Sequence, residues 1–128
     1  MRLEELEIYR MPMDIAEEIW LIVIKWDYFC KKTVGDQLVR SVDSIAANVA
    51  EGFGRFHYRE NIHFCYYARG SLLETRTWLT KANNRNLIKN KEYESLLSSL
   101  EITHKKLNGY IKSIGNKITS NKWLLSND

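Results

Sequence analysis

Apolar residues return along this chain at three- and four-residue steps, the spacing at which one face of an α-helix meets a core. Ile15, Ile19, Ile22, Trp26 and Phe29 form the first stripe and predict a helix that runs to about Lys32. Pro12 fits a first helical turn, while Leu6, Tyr9 and Met13 continue the pattern backwards and allow an earlier, kinked start. A second stripe, Leu38, Val42, Ile45 and Val49, follows Gly35, with Asp36 as the expected N-cap and Gly52 as the expected left-handed terminus. The third stripe is Ile62, Cys65, Ala68, Leu72, Leu79 and Ala82, with His57 as N-cap and Glu60 completing a weakened capping box. The pattern lapses from Asn83 to Lys89. Asn90 then caps a fourth stripe through Leu96, Leu100, Leu107, Ile111 and Ile114, expected to stop at Gly115. Nothing keeps a strand period over more than a few residues, and the three connections are short. The expected fold is all-α, a single-domain antiparallel up-down-up-down four-helix bundle over residues 1–115. Residues 116–128 form a C-terminal tail that carries Trp123, Leu124 and Leu125.

A length of 128 residues gives one domain, able to bury roughly two-thirds of its unfolded surface without staples. Cys30 and Cys65 are far apart and make no Cys-x-x-Cys pair, so they read as reduced thiols rather than as a disulfide or zinc site. The charged N-terminus does not read as a secretory signal, and the longest apolar run, Ile19 to Ile24, is far too short to cross a membrane. A cytoplasmic protein is expected. That same run covers the whole circumference of its helix, so either a neighbouring subunit or the tail around Trp123 is expected to cover its outer side. Net charge is +3, and it is unevenly spread. Residues 1–32 hold five basic and seven acidic groups, residues 33–82 six and five, and residues 83–128 eight and four. A basic C-terminal half suits either a phosphate-binding surface or a solvated helix face.

The sequence argues against an enzyme. Two Glu-x-x-His units, Glu60 to His63 and Glu101 to His104, suggest a di-metal bundle, but counting from a turn near residue 87 offsets them by roughly 10 Å at ~1.5 Å per residue. No metal and no cofactor are expected. Gly52-Phe53-Gly54-Arg55 closes a helix instead of following a strand, so it is no phosphate loop, and Ser71 lacks a nucleophile elbow.

One run carries more information than periodicity does. Ser44-Ile-Ala-Ala-Asn48-Val-Ala-Glu51-Gly52, with Gly70-Ser71-Leu72 and Glu74 on the next helix, resembles the signature of proteins encoded in 23S rRNA intervening sequences. Relatives of that family include the accessory variability protein of diversity-generating retroelements. The resemblance implies a non-enzymatic four-helix bundle that closes into a ring, a homopentamer by analogy, and acts as a nucleic-acid-binding accessory. It marks Asn48, Glu51, Ser71 and Glu74 as retained polar positions. Where the family usually has Pro after Ser-Ile, this chain has Ala46, which leaves the backbone near Ile45 straighter, and where it tends to have Gly this chain has Asn86, which the resemblance therefore marks as the left-handed residue.

From the residues themselves, axial counting places Arg40 level with Ser71 and within one turn of Glu74, so an Arg40–Glu74 ion pair is expected among these structural polar groups. The expected oligomer interface is Trp20, Leu21 and Ile24 on the first helix with Phe64, Tyr67 and Trp78 on the third. The candidate phosphate contacts for RNA or DNA are Arg55, Arg59, Arg69, Arg76, Lys105, Lys112 and Lys117. A protein-interaction scaffold, with charges that serve only solubility, is the competing expectation.

Overall fold

The computed structural model describes the backbone of residues 1–126 and the side chains of residues 1–120. Four helices make up the fold: α1, Glu7–Val23; α2, which spans 28–53; α3, Tyr58–Asn84; and α4, Asn90–Ser126. A 3-10 turn, Leu3–Glu5, precedes them. Each helix packs on its neighbours in sequence, and α4 closes the square against α1. The described residues contain no strand. Short turns force antiparallel neighbours, and the bond from Trp26 Nε1 to the Leu87 carbonyl, 3.1 Å, puts the α1–α2 and α3–α4 turns at one end. The α2–α3 turn lies at the other. The expected four-helix bundle is the fold observed.

The core follows the predicted stripes closely. Ile19, Leu38, Ile45, Leu72, Leu79 and Leu100 have no solvent exposure, and Val42, Val49 and Leu107 have almost none. Asn86 is the one non-glycine residue with positive φ, at 62°, among those described. Burying such stripes contributes the largest favourable term to folding, about 25 cal/mol per Å² of apolar surface.

The first boundary differs from the expectation. α1 ends at Val23, and the chain turns through Ile24 to Asp27, whose carboxylate accepts the Cys30 N–H at 2.9 Å and caps α2. The apolar stripe runs through this cap without a break, which hides it; Phe29 lies outside, exposed, while Trp26 is half-buried. α2 then passes through one π turn, Lys31–Gly35, and continues as Asp36–Phe53. Gly35 is helical and opens no turn. A Cβ there would lie 2.9 Å from Val23 Cγ1 and 3.2 Å from the Cys30 carbonyl, so the missing side chain lets α1 and α2 approach.

Gly52 is corrected in the same way. No glycine has positive φ, and α2 runs past Gly52 to Phe53. Its hydrogen is what permits the close crossing of α2 and α3, because a Cβ would meet Asn61 Oδ1 at 2.7 Å and Phe64 Cβ at 2.9 Å. Pro12 sits inside α1, five residues after its start, and is buried. His57 is the N-cap of α3, but its side chain makes no capping bond.

The last helix also outruns its predicted end. Gly115 does not stop it, because a glycine in a helix interior costs only about 1 kcal/mol and Ile118 carries the stripe one turn past Ile114. Residues 116–126, expected as a tail, are therefore helical. The side chains of Trp123, Leu124 and Leu125, the apolar end of a tail expected to be either mobile or docked, lie outside the described residues.

Candidate nucleic-acid interface

Two surfaces collect the polar and aromatic residues singled out above. The first is the outer groove between α2 and α3, where the Ser-Ile-x-x-Asn run meets Gly70-Ser71-Leu72. Ser44 Oγ and Ser71 Oγ share a hydrogen bond of 2.7 Å across the helices, and Asn48 Nδ2 donates to both the Ser44 carbonyl and Ser44 Oγ at 2.9 Å. One turn further, Arg55 pairs with Glu51 at 2.6 Å and Glu60 at 3.7 Å, and its guanidinium stacks 4.8 Å from the Phe64 ring centre. Phe64 in turn meets Tyr67 edge to face at 5.6 Å. These contacts explain why small hydroxyl residues face one another here: a longer side chain at Ser44 or Ser71 would hold the helices apart.

The expected Arg40–Glu74 ion pair is absent among the described residues. Axial counting put Arg40 level with Ser71, but the structure sets Ser44, one turn further along α2, beside Ser71. Arg40 points to the α1 side of α2, where it lines a shallow hollow with Trp20, Ile24, Lys31, Asp36 and Val39. The Glu74 carboxylate instead accepts the Trp78 indole N–H at 3.2 Å.

Asn61 is a buried polar residue that pattern reading passed over. Its amide donates to Tyr110 Oη at 3.3 Å and its Oδ1 accepts from Cys65 Sγ at 3.7 Å, which ties α3 to α4 just below Gly52. Burial pushes the Cys65 thiol up to about 11. The available signal was phase, since Asn61 stands four residues before Cys65 on the core stripe.

The second surface is the α3–α4 face and the bundle end below it. Arg76 pairs with Glu101 at 3.7 Å, and Arg69 donates to Asn108 Oδ1 at 2.9 Å. Half-buried His104 lies between them; burial, then Arg69 and Arg76, hold its pKa below the usual histidine value. Its Glu-x-x-His counterpart His63 is exposed and meets only Tyr66 edge-on. No three or more His, Cys, Asp or Glu side chains gather around a possible metal position among the described residues.

Past Glu101 the charge becomes one-sided. Residues 102–127 contain five lysines and no acidic residue. Lys106 spends its charge on Glu7, at 2.5 Å, whereas Lys105, Lys112 and Lys117 form no ion pair among the described residues. Lys112 and Lys117 stand on either side of an open groove of about 530 Å³, floored by Gly109 and walled by Tyr58, Ser113, Asn116 and Ser120. Lys117 Nζ lies 5.5 Å from the Tyr58 ring centre. Just above, the α2–α3 turn presents Arg55-Phe56-His57-Tyr58-Arg59, with Phe56 92% exposed and Arg59 exposed. Of the seven candidate phosphate contacts, the fold thus gathers Arg55, Arg59, Lys112 and Lys117 at one end and sets Arg69, Arg76 and Lys105 further along α3 and α4. Arg55, Arg69 and Arg76 are partly engaged by carboxylate, amide or aromatic partners; among the described residues Arg59 and the three lysines form no ion pair, and Lys117 lies over the Tyr58 ring.

The apolar candidates lie mostly at the opposite end. Trp20, Leu21 and Ile24 are 51%, 58% and 44% exposed, joined by Tyr28 and Phe29 from the misjudged turn. Phe64 and Trp78 are half-buried on α3, and Tyr67 is exposed. No helix is long and apolar enough to cross a membrane among the described residues.

The fold has known counterparts. A protein of unknown function from the S23 ribosomal protein family of Bacteroides thetaiotaomicron superposes with a TM-score of 0.73 at 23% identity, covering 82% of this chain and 95% of its own, a likeness that shows the fold alone. No curated protein matches the chain. The 23S rRNA-intervening sequence protein model matches residues 4–109, a stretch that takes in the Ser44–Ser71 groove and most of all four helices, and on that match the chain belongs to the 23S rRNA-intervening sequence protein family.

Proposed function

We propose that this protein is a non-enzymatic, self-associating helical module that binds RNA or DNA weakly, through charge, at the lysine-lined end of α3 and α4. The observation that carries the reading is the acid-free stretch of α4, where Lys112 and Lys117 form no ion pair among the described residues and stand beside a groove of serine, asparagine and tyrosine. A lysine ammonium without a carboxylate partner is free to release counterions from a phosphate backbone, which is the main source of non-specific affinity for nucleic acid. Hydroxyl and amide donors around it suit phosphate and sugar oxygens.

Self-association rests on the other end. Trp20, Leu21, Ile24, Tyr28 and Phe29 leave a contiguous apolar corner of the kind that soluble monomers seldom keep uncovered. In a closed ring, that corner of one subunit packs on a different surface of the next, as any heterologous contact does. A homopentamer is the ring we propose, by analogy with the family. Repetition multiplies the field, since +3 per chain becomes about +15 over five copies. A scaffold that binds only other proteins is the competing reading, favoured by the same apolar corner.

Sedimentation at micromolar concentration tests the assembly, with a closed oligomer expected and a monomer refuting it. Titration of fluorescent RNA at two salt concentrations tests the binding. Affinity that falls steeply with salt supports the proposal, whereas an oligomer that ignores RNA at low salt leaves the scaffold reading in place.

A further inference from the structure

We infer that the α2–α3 turn is a stacking platform for unpaired bases, so that the ligand of this end is single-stranded nucleic acid rather than duplex. The inference rests on the proposed nucleic-acid reading and adds what that reading does not contain, the state of the strand. Lysines alone do not distinguish a duplex from a single strand, because both offer phosphates. Aromatic rings do, because they can lie on a base only where its face is uncovered.

The turn carries two such rings in three positions. Phe56 is 92% exposed, and among the described residues its aromatic contact is His57, edge-on at 5.0 Å and 88°, a geometry that leaves a face of the phenyl ring open. Tyr58 forms the wall of the lysine groove, with Lys117 Nζ 5.5 Å from its ring centre. The chain order is Arg55-Phe56-His57-Tyr58-Arg59, so each ring has a cation beside it, with Lys112 and Lys117 across the groove. A strand whose backbone follows Lys112 and Lys117 past Ser113 and Asn116 delivers its bases to the Tyr58 and Phe56 side. Five residues separate the two lysines, about 7.5 Å along the helix axis, so they serve neighbouring phosphates of one strand. A duplex cannot use this end fully. Its base faces are already stacked, and opening them would have to be driven by the few contacts of one turn. Stacking takes no account of the 2′-hydroxyl, so RNA and DNA single strands are equally suitable.

The test is fluorescence anisotropy at low salt with four labelled twelve-nucleotide probes: single-stranded RNA, single-stranded DNA, the corresponding duplex, and an abasic strand of equal charge. The platform predicts that both single strands bind at least about tenfold more tightly than the abasic strand, a factor equal to ~1.4 kcal/mol. Phe56→Ala/Tyr58→Ala should bring the single strands to the abasic level, while Phe56→Trp should preserve or raise single-strand affinity. Circular dichroism of the variants confirms that exposed turn residues were removed without loss of fold. Abasic and base-bearing strands that bind alike, or a double variant with undiminished single-strand affinity, overturn the platform while leaving charge-driven binding intact. Failure of all four probes to bind overturns the nucleic-acid reading itself, and the platform with it.

Discussion

Replacing Gly52 by alanine probes the crossing on which the α2–α3 groove depends. In a helix interior with ordinary φ and ψ, glycine to alanine normally stabilises by about 1 kcal/mol, because glycine loses more backbone entropy on folding. Gly52 should do the reverse. The new methyl would lie 2.7 Å from Asn61 Oδ1, 2.9 Å from Phe64 Cβ and 3.0 Å from the Asn61 carbonyl oxygen, and all three are closer than ordinary van der Waals contact begins, at 3.4 Å. The Asn61 side chain cannot swing away freely, since it holds Tyr110 and Cys65, and the carbonyl is fixed in α3. Overpacking of this kind typically costs 1–3 kcal/mol, and three contacts at or below 3.0 Å put Gly52→Ala in the upper part of that range, about 2–3 kcal/mol, so the net loss after the helical gain should be about 1–2 kcal/mol. At a urea m-value of ~2 kcal/mol/M, the midpoint should fall by roughly 0.5–1 M. Gly70 supplies the control, being helical with nothing within 4 Å of its absent Cβ, so Gly70→Ala should raise the midpoint. Equal behaviour of the two variants in urea unfolding, or a Gly52→Ala protein as stable as the parent, would refute the close-approach explanation.

Ser71→Ala should cost about 0.5–1.5 kcal/mol by breaking the bond to Ser44 Oγ, which keeps only Asn48, and a Ser44→Ala/Ser71→Ala double-mutant cycle followed by thermal melting should show coupling between the two. Independent, additive losses would contradict a shared bond. Asn86→Gly should be neutral or stabilising and Asn86→Ala destabilising by about 1 kcal/mol, because φ of 62° is left-handed; the two melting temperatures decide it. Cys65 should resist a thiol reagent at pH 8 until the chain unfolds, whereas half-buried Cys30 should react in the native protein, as a time course of labelling would show. Burial holds the folded Cys65 thiol up at about 11, above the 9.0 of a free thiol, so the stability from its protonated form is complete below pH 9 and is lost as pH rises through 11. Denaturation midpoints that stay flat across that window would contradict the assignment.

What the sequence made legible was periodic. Leu38, Val42, Ile45 and Val49, or Leu96, Leu100 and Leu107, repeat at helical spacing over long stretches, and the structure buries them. Asn86 was legible because it stands where the resembled family tends to have Gly, and few residues other than glycine tolerate a left-handed turn. Gly35 and Gly52 were misread because a glycine needed for positive φ and a glycine needed for a missing Cβ look identical in sequence; only the neighbour distinguishes them. Asp27 was hidden by the apolar residues on both sides of it, which keep helical phase across a real break. Arg40 and Glu74 show a further limit: counting residues from a turn set height along the helix only to within one turn, and the direction of a side chain depends on which two neighbours its helix packs between. The lysine groove was half legible. Lys112 and Lys117 stood among the candidate cations, but Tyr58 and Phe56 joined them only once α4 was seen to continue past Gly115.

The most direct test of the account is the salt dependence of single-stranded RNA binding, compared between the parent chain and Lys112→Ala/Lys117→Ala. Each phosphate neutralised on a single strand contributes about −0.7 to the slope of log K against log salt, so removing two lysines should make the slope shallower by roughly 1.4 and weaken binding at low salt. Sedimentation of the variant should be unchanged, because both lysines lie at the end away from Trp20, Leu21 and Ile24. The account predicts that combination of altered slope and intact assembly. A slope that the two substitutions do not change would contradict it, since the groove of α3 and α4 would then not be where phosphate is held.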